Sequence, residues 1–256
     1  MTRSLGEVCR ATALVVLMWL LCAGSAHGQI QINAGGGAAA AQSGLPSDYK
    51  GKPYGGWAQV VPGRLECAYY DLGGEGVAYH DVDAVNHGSG ELNHQPGHCE
   101  PGVPEAVCYF REKEGVDISY TKLRADFNAW SGHSQPNYFS PGLRQLYVGW
   151  EADGEWTNYT IDVQRPGTYR MSVLYSYAAN TVRFDLNKRP ATECKLPLDT
   201  GSYHIWNKAD CGKITFPEAG IQLLTMHYNS GNNLAYFEFA KDPAADATSG
   251  AGAAKR

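Results

Sequence analysis

Apolar residues return at every second position through much of the chain's second half. Tyr169, Met171, Val173, Tyr175 and Tyr177 alternate with Arg170, Ser172, Leu174 and Ser176, and Val182, Phe184 and Leu186 alternate with Arg183, Asp185 and Asn187. A period of two places one set on a buried face and the other on a wetter one, which is the pattern of an antiparallel strand covered on one side. Further short runs lie at 64–70, 76–81, 213–216, 221–228 and 234–240. They are separated by the turns Gly73-Gly74, Arg165-Pro-Gly167 and Pro217-Glu-Ala-Gly220 and by a polar loop at 229–233. Short strands at this spacing, with few helix signals, predict an all-β fold: an antiparallel β-sandwich of the jelly-roll type.

The stretch 146–163 stands at the centre of that reading. An apolar run reaches Trp150, a polar corner follows at Glu151-Ala-Asp-Gly154, and a second run leaves through Trp156 with Tyr159, Ile161 and Val163 on one face. Gly154 after Asp153 supplies the bend, so the two runs are expected to form a hairpin. Trp156 is expected in the core. Trp150, at the strand end beside the corner, is better placed to meet a ligand.

The ends differ from the middle. Arg3 and Arg10 precede an apolar run at 11–23, and Ala26-His27-Gly28 offers small residues where a signal peptidase cuts, so 1–28 reads as a signal peptide. No later run reaches the eighteen or so apolar residues a transmembrane helix needs. The expected product is secreted, extracellular or periplasmic. Residues 29–53, small and polar, read as a flexible linker; 54–241 reads as one domain with a long insertion at 82–142; and 242–256 reads as a disordered tail.

The formal charge is −5, and since 1–28 carries Arg3 and Arg10 against Glu7, the mature chain carries −6. Without clustered Lys and Arg, nucleic acid is excluded as a partner. Of the seven cysteines, Cys9 and Cys22 fall in the leader. In an exported chain disulfides are the default use of the rest. Cys194 and Cys211 flank a hairpin-like segment, Cys99 and Cys108 bracket a short loop, and Cys67 is left as a buried thiol.

Five motifs carry a resemblance. Leu65-Glu-Cys-Ala-Tyr-Tyr-Asp-Leu-Gly-Gly-Glu-Gly-Val-Ala-Tyr-His-Asp81, Tyr147-Val-Gly-Trp-Glu-Ala-Asp-Gly-Glu-Trp-Thr-Asn-Tyr159, Pro166-Gly-Thr-Tyr169, Asp199-Thr-Gly-Ser-Tyr-His-Ile-Trp206 and Asn233-Leu-Ala-Tyr-Phe-Glu-Phe239 follow in order. Together they resemble the family 6 carbohydrate-binding modules and their near relatives, over most of 64–240 outside the insertion. The resemblance implies a galactose-binding-like jelly roll that holds glycans without catalysis, in a cleft among the loops at one end. It implies that Trp150 and Tyr203 sandwich a sugar ring and that Asn233 hydrogen-bonds its hydroxyls. A polysaccharide or oligosaccharide is the implied partner. The chemistry agrees, since a pyranose has an apolar C–H face and a polar rim.

The same resemblance implies a structural calcium fed by two glutamates of the opening strand and a late acid. Here those positions fall on Glu66, Ala68 and Asp242, one carboxylate short of the pattern. A rival reading places a glycan-processing hydrolase or lyase in the 82–142 insertion, where His87, His94, His98 and Cys99 lie with loose metal-ligand spacing. Asp153 and Glu155 are too local, two residues apart across a turn, to read as the paired carboxylates of a glycosidase.

Overall fold

A computed structural model describes residues 44–127, 134–136 and 138–243. The signal-peptide reading, the linker up to residue 43 and the tail from residue 244 lie outside them. In chain order the strands among the described residues are β1 (Gln59–Val61), β2 (Gly63–Glu66), β3 (Tyr79–His80), β4 (Ile118–Tyr120), β5 (Leu146–Val148) and β6 (Trp156–Val163). They continue as β7 (Gly167–Tyr177), β8 (Thr181–Leu186), β9 (Arg189–Lys195), β10 (Trp206–Phe216), β11 (Gly220–His227) and β12 (Asn232–Lys241). Two short helices, α1 (Glu105–Cys108) and α2 (Leu123–Asp126), fall in the insertion.

The strands form two sheets packed as a sandwich. The first runs β1–β6–β11–β8–β9 with β3 also on β6, and the second runs β10–β7–β12–β5–β4 with β2 on β12. Pairing is antiparallel except between β1 and β6, where Gln59, Val60 and Val61 run parallel to Ile161, Asp162 and Val163. The period-two pattern decides which faces meet. Tyr159, Ile161 and Val163 of the first sheet and Tyr169, Met171, Val173 and Tyr175 of the second are all buried between the layers. Phe184 and Phe237 touch edge-on from opposite sheets, ring centroids 5.0 Å apart. Each such side chain contributes roughly 1.5–3 kcal/mol by leaving water.

Three local readings are corrected by this topology. The runs either side of the 151–155 corner are not a hairpin: β5 pairs with β4 and β12 in the second sheet, while β6 pairs with β1, β3 and β11 in the first. The corner is a crossing between layers. Trp156 has the parity of Asn158 and Thr160 and stands half-buried on the outer face of β6, not in the core. Residues 44–53, read as linker, pack on the domain: Tyr49 donates to the Asp71 carboxylate at 2.7 Å, and Lys52 bridges Leu72 through both backbone partners.

Both disulfides form, Cys99–Cys108 and Cys194–Cys211, and Cys67 is a buried thiol. Cys194 and Cys211 do not close a hairpin. They join β9, at the border of the first sheet, to β10, at the border of the second, and so staple the layers along one side.

The insertion is ordered by buried polar groups rather than by apolar periodicity. The Asn86 Oδ1 accepts from the backbone N–H of Gly88, Ser89, Gly90 and Ile118, at 2.9 to 3.3 Å. Asn93 donates to the Cys108 carbonyl and Ser89 to that of Phe110. So anchored, the segment adds β4 to the second sheet and carries α2 over the loop end of the sandwich. Among the described residues no helix is long and apolar enough to cross a membrane.

Candidate functional site

A cleft of about 300 Å³ opens where the insertion meets the loops beyond β5 and β9 and the start of β12. Three segments far apart in sequence bring Trp150, Tyr203 and Asn233 to its wall. Trp150 follows β5 and Gly149. Its indole is 43% exposed and its φ is +52°, a left-handed conformation rarely taken by a bulky residue. That turn takes the chain out of the pleat and leaves the ring beside the cleft. Tyr203, 44% exposed, lies in the loop between β9 and β10 and stacks on Tyr177 with centroids 4.2 Å apart. An exposed ring backed by a second ring is a flat and rigid surface.

Asn233, 4% exposed, sits near the start of β12. Its Nδ2 donates to the Tyr203 carbonyl at 3.0 Å, and Ser176 Oγ donates to the same oxygen at 2.7 Å. The asparagine therefore holds the tyrosine loop as well as lining the cleft. Its Oδ1 accepts no hydrogen bond from the described residues. Gly149 makes room for it, since a Cβ there would fall 2.4 Å from that oxygen.

The other wall belongs to the insertion: His98, which the sequence offered only as a possible metal ligand, with Leu92, Lys122, Ala125 and Asp126, for which it offered no role. Asp126 is buried and saturated. Its Oδ1 accepts from the Trp206 indole at 2.7 Å and faces His204 Nδ1 at 3.2 Å, while Oδ2 accepts from the Lys122 backbone at 2.6 Å. Trp206 packs edge-on against Tyr147, centroids 5.4 Å apart, in a small apolar cluster with Leu174, Ala235 and Tyr236. Lys122 sends its Nζ to Asn93 Oδ1 at 3.0 Å and Ser119 Oγ at 2.9 Å, and burial pulls its pKa down to about 8. For His204 a sequence signal existed, its place directly after Tyr203. Lys122 and Asp126 had none, because only the folded insertion brings them to the cleft.

The histidines of the insertion do not converge. His87 lies between Asp83 and Glu91, whose hydrogen bond raises its pKa to about 9. His94 pairs with Glu112 and stacks on Tyr109; among the described histidines of the insertion only His98 reaches the cleft. Cys99 is committed to its disulfide. Among the described residues no three His, Cys, Asp or Glu side chains gather as metal ligands.

Glu66 and Asp242 do not fit a shared calcium. β12 sets Tyr236 opposite Glu66 and Phe239 opposite Gly63, so Asp242 lies six residues along the strand, about 20 Å from Glu66. Glu66 accepts instead from the Gln145 amide at 2.8 Å, and Asp242 pairs with Lys213 at 2.6 Å. A calcium that needs six to eight oxygens has no such set there.

A second group of carboxyls lies beneath the corner. Glu151 is 4% exposed, and neither of its oxygens has a partner among the described residues. Burial, then the nearby Glu155, pushes its pKa far up. Asp117, accepting from the His87 backbone, is raised by burial to about 8, and Asp81 and Glu155 are both raised, burial again leading. Asp153 is apart from these, capping the Ser230 N–H at 3.0 Å.

Residues 143–239 match the family model described as Carbohydrate binding module (family 35), so the matching family is 35 where the motifs resembled family 6. Family 6 appears among similar solved structures. One is CsCBM6-3 from Clostridium stercorarium in complex with cellobiose, 13% identical, covering 73% of this chain and 99% of that one at a TM-score of 0.42. Another is a β-1,3-glucan binding CBM6 from Bacillus halodurans, 12% identical, covering 72% and 98% at a TM-score of 0.41. A third, the C-terminal CBM6 of LamC from Zobellia galactanivorans, is 20% identical and covers 38% and 80% at 0.34. At such scores no residue carries over from one chain to the other. No curated protein matches the chain. The family match, on a sandwich of two antiparallel-rich sheets, supports a carbohydrate-binding module fold and a sugar as the kind of partner.

Proposed function

We propose that the protein is an exported, non-catalytic glycan-binding module. Trp150 and Tyr203 stack on a sugar ring, and Asn233 Oδ1 accepts from its hydroxyls. The observation that carries this reading is the meeting of two half-exposed rings and a buried amide in one cleft, from three separate segments. A flat apolar ring face suits the C–H face of a pyranose, and an acceptor at the base suits its rim. Stacking with a few solvent-exposed hydrogen bonds supports modest affinity, about −4 to −8 kcal/mol, or millimolar to micromolar binding. The leader at 1–28 and the two disulfides support export.

The test is retention on soluble and insoluble polysaccharides by wild type and Trp150→Ala. The variant should fold yet lose most retention on whichever glycan holds the wild type; equal retention would remove the tryptophan from the site. One observation favours a second reading, a glycan hydrolase or lyase. His204 is set against the buried Asp126 in the same cleft as His98 and Lys122, as a base against its orienting carboxylate. New reducing ends or unsaturated products on incubation with a bound glycan, lost in His204→Gln, would establish it over simple binding.

A further inference from the structure

From His94 to Val107 no residue is buried, so little apolar surface anchors this part of the insertion. Its covalent tie is Cys99, half-buried, bonded to Cys108, which is sealed in the core. Two polar links leave the loop beside that bond. The Tyr120 hydroxyl donates to the His98 carbonyl at 3.0 Å and accepts from the Glu100 N–H at 2.9 Å. The Glu100 carboxylate accepts in turn from the N–H of Leu123 at 2.9 Å and of Arg124 at 3.1 Å, which fixes the start of α2. That helix ends on Asp126, which holds Trp206 and His204. A continuous path therefore runs from the disulfide to the cleft wall at His98, Ala125 and Asp126. The other disulfide is placed differently. Cys194 and Cys211 are both buried, in strands held by full ladders, β9 on β8 and β10 on β7.

We propose, resting on the glycan reading above, that Cys99–Cys108 is a redox latch on the cleft: closed, it builds the insertion wall, and opened by a dithiol it weakens the hold on the glycan. Cys99 is the one disulfide cysteine that is not buried, so it is the end a reagent reaches. A thiolate attacks Cys99 Sγ and forms a mixed disulfide there, while the bond to Cys108 breaks and Cys108 leaves as a thiolate that takes up a proton. The reagent's second thiolate attacks its own bonded sulfur and frees Cys99. The protein gains two electrons and two protons, and the dithiol becomes a cyclic disulfide. With the covalent tie gone, the loop is left with hydrogen bonds for which water competes. If the wall is then assembled about a tenth of the time, apparent affinity falls about tenfold.

The experiment is affinity electrophoresis in native gels cast with laminarin, xylan or pectin, on the protein before and after graded dithiothreitol. Parallel aliquots are trapped with iodoacetamide and mapped by mass. Cys99 and Cys108 should label before Cys194 and Cys211. At that point the affinity for whichever polymer retards the oxidised protein should fall about tenfold, and it should return on reoxidation. Hydrogen exchange at the Leu123 and Arg124 amides should speed up in step. A Cys99→Ser, Cys108→Ser double variant should bind as the reduced protein does, with or without dithiothreitol; reduction of the folded wild type decides the matter where that variant fails to fold. Opening of Cys194–Cys211 first, or undiminished retardation with Cys99–Cys108 open, overturns the proposal and leaves glycan binding standing. Oxidised protein retarded by none of the three gels overturns the proposal and the glycan reading together.

Discussion

The group beneath the 151–155 corner makes stability fall as pH rises, and Glu151 isolates the effect. In the unfolded chain a glutamate loses its proton near its ordinary value of 4.5; in the folded chain burial holds the Glu151 pKa well above that. A group raised on folding stabilises fully below its unfolded pKa, and the contribution is lost as pH climbs towards the folded value. Each retained proton therefore costs about 1.4 kcal/mol per pH unit above that point. Asp117, raised to about 8, and the Asp81–Glu155 pair act in the same direction, as does His87 above its unfolded value of 6.5. His87 is open enough to solvent, its side chain 38% exposed, that only part of its shift counts.

Glu151→Gln keeps the shape of the protonated acid and removes its titration. Neither oxygen of Glu151 has a partner to lose, so the substitution is close to neutral at pH 5. From pH 5 to pH 7 the variant should gain steadily on the wild type, its advantage growing with each pH unit at which the buried acid is held protonated. The other carboxyls and His87 cancel in the difference between the two curves. Urea unfolding at pH 5, 6 and 7, in buffer with a chelator so that no adventitious cation neutralises the group, measures it directly. Parallel curves for the two proteins, or wild-type stability that climbs from pH 5 to pH 7, would refute the reasoning.

Gly149→Ala should push the Asn233 amide aside, because the new Cβ lies 2.4 Å from its Oδ1 and 3.2 Å from the Tyr147 ring; glycan affinity by titration should fall about tenfold, with a lower Tm. Trp206→Phe removes the indole donor to Asp126 and should destabilise by about 1.5–3 kcal/mol in urea, the range for a hydrogen bond to a charged group. Cys194→Ser with Cys211→Ser opens a closure spanning 17 residues and should cost about 3 kcal/mol. A double variant as stable as wild type would deny that the bond between β9 and β10 staples the sheets.

The strands were legible in the sequence because alternation is a property of each run alone. What each run pairs with is not. The Asp153-Gly154 corner has hairpin chemistry, yet β5 and β6 part into different sheets, because sheet membership is decided by which faces the core joins rather than by the turn. The same holds for Cys194 and Cys211, whose spacing fits a hairpin but whose strands border opposite layers. For Trp156 the information was present and misapplied: the parity that buries Tyr159 and Ile161 puts position 156 with Asn158, outside.

The candidate site divides along the same line. Trp150, Tyr203 and Asn233 were named from motifs, and the folded chain gathers them, but the means are not local signals. A positive φ at a tryptophan runs against steric preference, and beside it Gly149 admits Asn233, which in turn grips the Tyr203 carbonyl. The insertion is harder still to read, because Asn86, Asn93 and Asp126 order it through buried hydrogen bonds, which leave no periodic trace. Those same bonds set Lys122 across the cleft from the aromatic rings. A segment without strand or helix periodicity can therefore be as well specified as the sheets, provided that its polar side chains find backbone partners out of water.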